Sequence, residues 1–191
     1  IVAKDPLRLA SNQKALAPAP STGQLSASLA QGAGSATLTP SGVGNDEYPT
    51  SGKVTIDKEV ISFTRSGDVL SLTERGENNT DDVAHEADAT VQLALEYTSD
   101  QVNDITEDLL VNYAGIDSSF VPSSTVWQSE VDTYLSGLLT GIITTPTDVN
   151  KLLIELSEAM PHYLWWDERN QIIELTALKS PPSSANTLNM E

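Results

Sequence analysis

The sequence predicts an α+β protein: a small all-β module of about five short strands, followed by an α+β segment with three helices and a C-terminal hairpin. Three observations lead there. From Ser35 to Leu95 the chain reads as short β-branched and apolar runs split by turn residues, the layout of a small β unit. Beyond Tyr97 the apolar residues recur at helical spacing. Near the end, two alternating runs flank the polar stretch Asp167-Glu168-Arg169-Asn170, the pattern of a hairpin.

Residues 1–32 are rich in Ala, Ser, Gly and Pro, with Ala17-Pro18-Ala19-Pro20 at their centre. They show no sustained period and read as an extended connector. Leu7 with Leu9, and the run from Leu25 to Leu29, are the pieces able to add a strand to a sheet completed elsewhere.

The β module spans 33–96, with strands expected at Ala36–Thr39, Lys53–Ile56, Val60–Thr64, Val69–Thr73 and Thr90–Leu95. Asp57-Lys58 forms a two-residue hairpin loop, and Ser66-Gly67-Asp68 is a second turn in which glycine is free to take positive φ. Ile61 and Phe63 share one face of their strand, as Leu70 and Leu72 do on the next. About sixty residues make a marginal core, so the module is expected to lean on a neighbour.

The α+β unit spans 97–179. Thr98 and Gln101 form a capping box, followed by Val102, Ile105, Leu109, Leu110 and Tyr113 until Gly115 stops the helix. A second, short helix starts near Ser123 or Ser124 and buries Trp127, Val131, Tyr134 and Leu135. Leu138–Thr144 reads as a strand. Thr145 is expected to cap the third helix with Pro146 at its first position, and Val149, Leu152, Leu153, Leu156 and Met160 form its apolar stripe. Pro161 ends it, and Tyr163–Trp166 pairs with Gln171–Thr176. Residues 180–191 read as a Pro/Ser-rich linker or tail. With Ile1 as the first residue, the chain is expected to be a segment of a longer polypeptide.

The 27 acidic and 10 basic residues give a net charge of −17, which repels phosphate, so specific nucleic-acid binding is not expected. An acidic wall can still let DNA pass without sticking. There is no cysteine, which excludes disulfides and thiolate chemistry. No apolar run is long enough to span a membrane.

No site for a metal or other cofactor is expected. His85 lies in Asp81-Asp82-Val83-Ala84-His85-Glu86-Ala87-Asp88, whose spacing departs from a calcium loop, and is read as part of a solvated turn. His162, at a helix end, is read as packed or capping. No serine elbow, zinc-protease helix or phosphate-cradling glycine loop occurs. Glu107-Asp108 diverge by about 100° on a helix and Asp167-Glu168 lie in a turn, so neither pair suits glycoside hydrolysis. An enzyme is not expected. Trp165 and Trp166 are consecutive on a strand and face opposite sides, one toward the core and one outward. Trp127, Tyr163, Trp165 and Trp166 are the candidate interface residues, since aromatics anchor interfaces.

Two stretches resemble known proteins. The run from Gly52 to Thr64, then Leu72-Thr73-Glu74-Arg75-Gly76 and Ala84-His85-Glu86-Ala87-Asp88-Ala89-Thr90-Val91, resembles a small β module recurring in phage and prophage tail proteins. The chain departs from that pattern with Asp57 where glycine is usual and with Glu74 inserted before Arg75-Gly76. Asp108-Leu109-Leu110, Trp127, the Pro146–Leu156 helix, Leu164-Trp165-Trp166-Asp167-Glu168, Gln171-Ile172 and Ala177-Leu178 resemble the hub segment of a siphophage tail-tip protein. Together they cover about residues 35–178. The resemblance implies a structural hub or baseplate component in the distal tail of the virion, present in the host cytoplasm during assembly. It would join the tail tube to the host-recognition apparatus and border the DNA passage. Its implied partners are copies of itself, with a trimer favoured, and other tail proteins; no catalytic residue carries over. The alternative is a carbohydrate-binding module for the host surface, carried by the β unit, which however holds only Tyr48 and Phe63 as aromatics.

Overall fold

Short alternating runs joined by tight turns build one antiparallel sheet that is larger than the sequence suggests. A computed structural model describes residues 5–179. The elements, in chain order, are β1 (Leu16–Ala17), β2 (Gln24–Leu25), β3 (Ser35–Thr39), α1 (Val43–Glu47), β4 (Ser51–Ile56), β5 (Glu59–Ser66), β6 (Val69–Glu77) and β7 (Val91–Asp100). Then come α2 (Val102–Asp108), α3 (Gln128–Tyr134), β8 (Leu139–Ile143), β9 (Thr147–Asp148), α4 (Val149–Ala159), β10 (His162–Asp167) and β11 (Ile172–Ala177). The α+β class stands, but about five strands is too few. Seven strands form the main sheet, in the order β2-β3-β6-β5-β4-β7-β8.

That sheet curls until its first strand, β2, meets the start of β7. Leu25 N donates to the Ala89 carbonyl and Val91 N to the Gly23 carbonyl, both at 2.9 Å. Residues 23–25 therefore bridge β3 and the start of β7, closing a small barrel that has no free edge on that side. All five expected strands lie in it. The Asp57-Lys58 loop joins Ile56 to its partner Glu59. Asp57 takes φ +54°, a left-handed value that Asp tolerates better than most side chains. The extra Glu74 is absorbed by a bulge, because Phe63 pairs with Leu72 but Ser62 pairs with Glu74. Ile56, Ile61, Phe63 and Leu70 fill the barrel.

β7 belongs to both halves of the molecule. Its residues 91–94 pair with β4, and Leu95, Glu96, Tyr97 and Asp100 pair with β8. The expected boundary at residues 96/97 therefore falls inside a strand. The Thr98–Gln101 capping box is not formed: Thr98 lies in β7, and Gln101 caps α2 with backbone geometry alone.

The second core gathers Val102, Ile105, Leu110, Trp127, Val131 and Ile173 between the helices and the terminal hairpin. α4 starts later than expected, at Val149, and its cap is Asp148, whose carboxylate accepts the Asn150 N–H at 2.8 Å. Thr145 and Pro146 are displaced from the helix because Thr147 and Asp148 pair with Ala17 and Leu16. Residues 5–32, expected as connector, are thus tied to both cores, with β1 on β9 and β2 on β3. The Pro/Ser-rich stretch 180–191 lies outside the described residues. Among the described residues, no helix is long and apolar enough to cross a membrane.

Candidate interface

β10 and β11 pair in register from His162 with Ala177 to Asp167 with Ile172. Asp167 closes the turn between them, its Oδ1 accepting the Arg169 N–H at 2.8 Å and the Asn170 N–H at 3.2 Å. Alternation then sorts the side chains. Leu164, Trp166, Ile173 and Leu175 face the core, and Trp166 meets the Phe120 ring edge-on with centroids 5.6 Å apart. Tyr163 and Trp165 stand on the opposite side, 47% and 43% exposed. The Trp165 indole N–H donates to Thr176 Oγ1 at 3.3 Å, which ties the ring to the strand face.

The four candidate interface residues therefore separate. Trp127 is fully buried at 0% exposure and donates its indole N–H to the Ile173 carbonyl at 2.8 Å, so it is a core residue and not a contact. Trp166 is likewise turned inward. Tyr163 and Trp165 remain as an outward pair on one strand. Tyr163 also borders a cleft of about 410 Å³ whose apolar wall is Leu7, Leu153, Ile154 and Leu164. His162 lines the same cleft, where its Nδ1–H donates to the Met160 carbonyl at 2.6 Å. Burial pushes its imidazole below its ordinary value, outweighing that bond. It is packed, as its position after Pro161 suggests.

His85 is corrected. It is not in a solvated turn: its side chain is 0% exposed, with Nε2 2.8 Å from Glu59 Oε2 and Nδ1 2.7 Å from Asp57 Oδ2. Both ring nitrogens thus face carboxylate oxygens. Glu59, 1% exposed, also receives Arg75 through Nε at 2.6 Å and Nη2 at 2.8 Å, Gly76 N at 3.0 Å and Val83 N at 3.2 Å. Burial alone would raise the Glu59 carboxyl, but the hydrogen bonds from Arg75, His85 and Val83 outweigh it and hold it at about 2. Arg75 reaches Asp82 as well, at 2.9 Å. This buried ionic node ties the β4–β5 turn, β6 and the 78–90 loop together, and Asp57 contributes to it from the position where the resembled pattern has glycine. Its partners are far apart in sequence, and the acidic run around His85 masks it. The one available signal is the joint presence of Glu59, Arg75-Gly76 and His85 in the resembled motif.

No protein-family model, curated protein or solved structure matches the chain.

Proposed function

We propose that this chain is a structural segment of a siphophage-type tail tip, a hub or baseplate piece that works by assembling with copies of itself and with other tail proteins. The observation that carries this reading is the outward pair Tyr163 and Trp165 on a hairpin whose other side is locked into the core. Large rings on a rigid strand lose little freedom on docking, which makes them suitable anchors. The resemblance of the Gly52–Val91 stretches and of the hairpin to tail modules supports the same reading. The net charge of −17 suits a component bordering a DNA passage, because a like-charged wall does not retain DNA.

A glycan-binding role has one observation in its favour, two exposed rings on the same face of β10. In the β unit no aromatic platform supports it, since Tyr48 and Phe63 are both in the barrel core. Light scattering on the purified chain, alone and with Tyr163→Ala and Trp165→Ala, separates the two. A trimer, or an assembly that loses mass in either variant, supports the tail-tip role. A stable monomer that binds glycans through Trp165 overturns it.

A further inference from the structure

The outer face of the hairpin carries rings and carboxylates side by side. Directly opposed residues of an antiparallel pair point to the same side, so Tyr163 with Thr176, and Trp165 with Glu174, share this face. Among the described residues no cation is paired with Glu174; burial, and then the negative charge of Asp167, push its carboxyl above its ordinary value.

Elsewhere the chain shows what such a pair accommodates. Lys179 Nζ lies 4.1 Å from the centre of the Tyr134 ring and 2.9 Å from the Glu130 carboxylate, a cation held between an aromatic face and an acid. Trp165 and Glu174 present the same two groups, with the stronger cation-binding ring. A second copy suits this face poorly. Paired two-fold, the copies would set Asp167, Glu168 and Glu174 against their equivalents, and in a ring such as a trimer the face would still meet a chain of net charge −17; like charges brought together at an interface are costly.

We infer that this face takes a lysine or arginine side chain of a different, basic protein partner, held between the Trp165 indole and the Glu174 carboxylate. The inference rests on the assembly reading above and adds the chemistry of the partner. Tyr163 widens the apolar platform for the stem of that side chain, as long cationic side chains lie along apolar surface. The carboxylate fixes where its charged head sits.

The test is a titration of the whole chain, labelled with nitrogen-15, with a capped peptide alternating glycine and arginine. The same peptide with citrulline in place of arginine is the neutral control. The Trp165 indole N–H signal, assigned from Trp165→Phe, is expected to move saturably with the arginine peptide. Glu174→Gln, a near-isosteric change whose folding is checked by circular dichroism, should weaken binding about three- to tenfold, as loss of a ring-supported ion pair implies. Glu86→Gln, which removes an exposed carboxylate on the barrel, should change it less than about twofold, as for a remote screened charge. Equal weakening by both variants, equal binding of the citrulline peptide or an unmoved Trp165 signal overturns the inference. If Trp165→Ala instead dissociates a self-assembled chain with no response to arginine, a second copy holds this face and the inference fails while the assembly reading stands. A monomer that binds glycans there removes both.

Discussion

Replacing Glu59 with Gln tests whether the ionic node stabilises the barrel. The side chain keeps its size and one acceptor oxygen but loses the charge facing Arg75 and His85. A carboxyl lowered from 4.5 to about 2 by folding contributes about 3 kcal/mol at neutral pH, at roughly 1.4 kcal/mol for each pH unit of displacement. Glu59 is 1% exposed, so solvent does little to discount that figure. Because folding depresses this group, its contribution is whole above pH 4.5 and fades as pH falls toward 2. Urea unfolding followed by far-ultraviolet circular dichroism should place Glu59→Gln about 3 kcal/mol below the wild type at pH 7, a gap that shrinks to roughly half by pH 3. A gap that stays constant with pH would refute the reasoning. So would one under about 1 kcal/mol at pH 7, the range of an exposed ion pair.

Two further changes probe the packing. Trp127→Ala should cost about 3–5 kcal/mol through the cavity left in the second core, whereas Trp127→Phe should cost about 1–3 kcal/mol, mainly for the Ile173 carbonyl left without its donor; thermal melts of the two variants give the ranking. Gly44→Ala should cost about 1–3 kcal/mol by overpacking, because a Cβ there would lie 2.2 Å from the Gly67 carbonyl oxygen and 3.0 Å from Asp68 Cα. That strain would also disturb the Asp68 carboxylate, which accepts the Gly42 and Gly44 N–H groups at 2.8 and 2.9 Å. An unchanged melting temperature for Gly44→Ala would show that α1 can move away freely.

What the sequence made legible was local. Period-2 alternation located all five barrel strands and the final hairpin, and the opposed directions of Trp165 and Trp166 followed from their adjacency alone. The failures share a cause in pairing between distant residues. A two-residue strand such as β1 is too short to carry a period, so its tie to β9 left no trace in composition, whereas the Leu25–Leu29 run read as able to add a strand does so through Leu25 on β3 and Leu29 on His85. The β1–β9 pairing moved the start of α4 from Pro146 to Val149, since Thr147 and Asp148 take sheet geometry first. Polar residues at the end of β7 imitated a helix cap because their strand partner, β8, lies some forty residues on. His85 read as solvated because Glu59 and Asp57, which receive it, are not its neighbours in sequence. For the outward face the limit was different: strand alternation shows that Trp165 and Trp166 diverge, but only the packing of Phe120 against Trp166 decides which one is outside.

The shared strand β7 has a mechanical consequence. The barrel and the helical unit are joined by one strand, bonded to β4 over residues 91–94 and to β8 from Leu95 to Asp100, and the N-terminal stretch makes a second attachment to each. Twisting one half against the other must break sheet bonds on β4 or β8 and cannot be absorbed by a pliant hinge. A pull along β7 loads its bonds to β8 in shear, all together, instead of peeling them one at a time. Tension applied through β8 would therefore pass to the barrel along the β7 backbone, whereas the terminal hairpin, a separate two-stranded sheet, couples to it by side-chain packing.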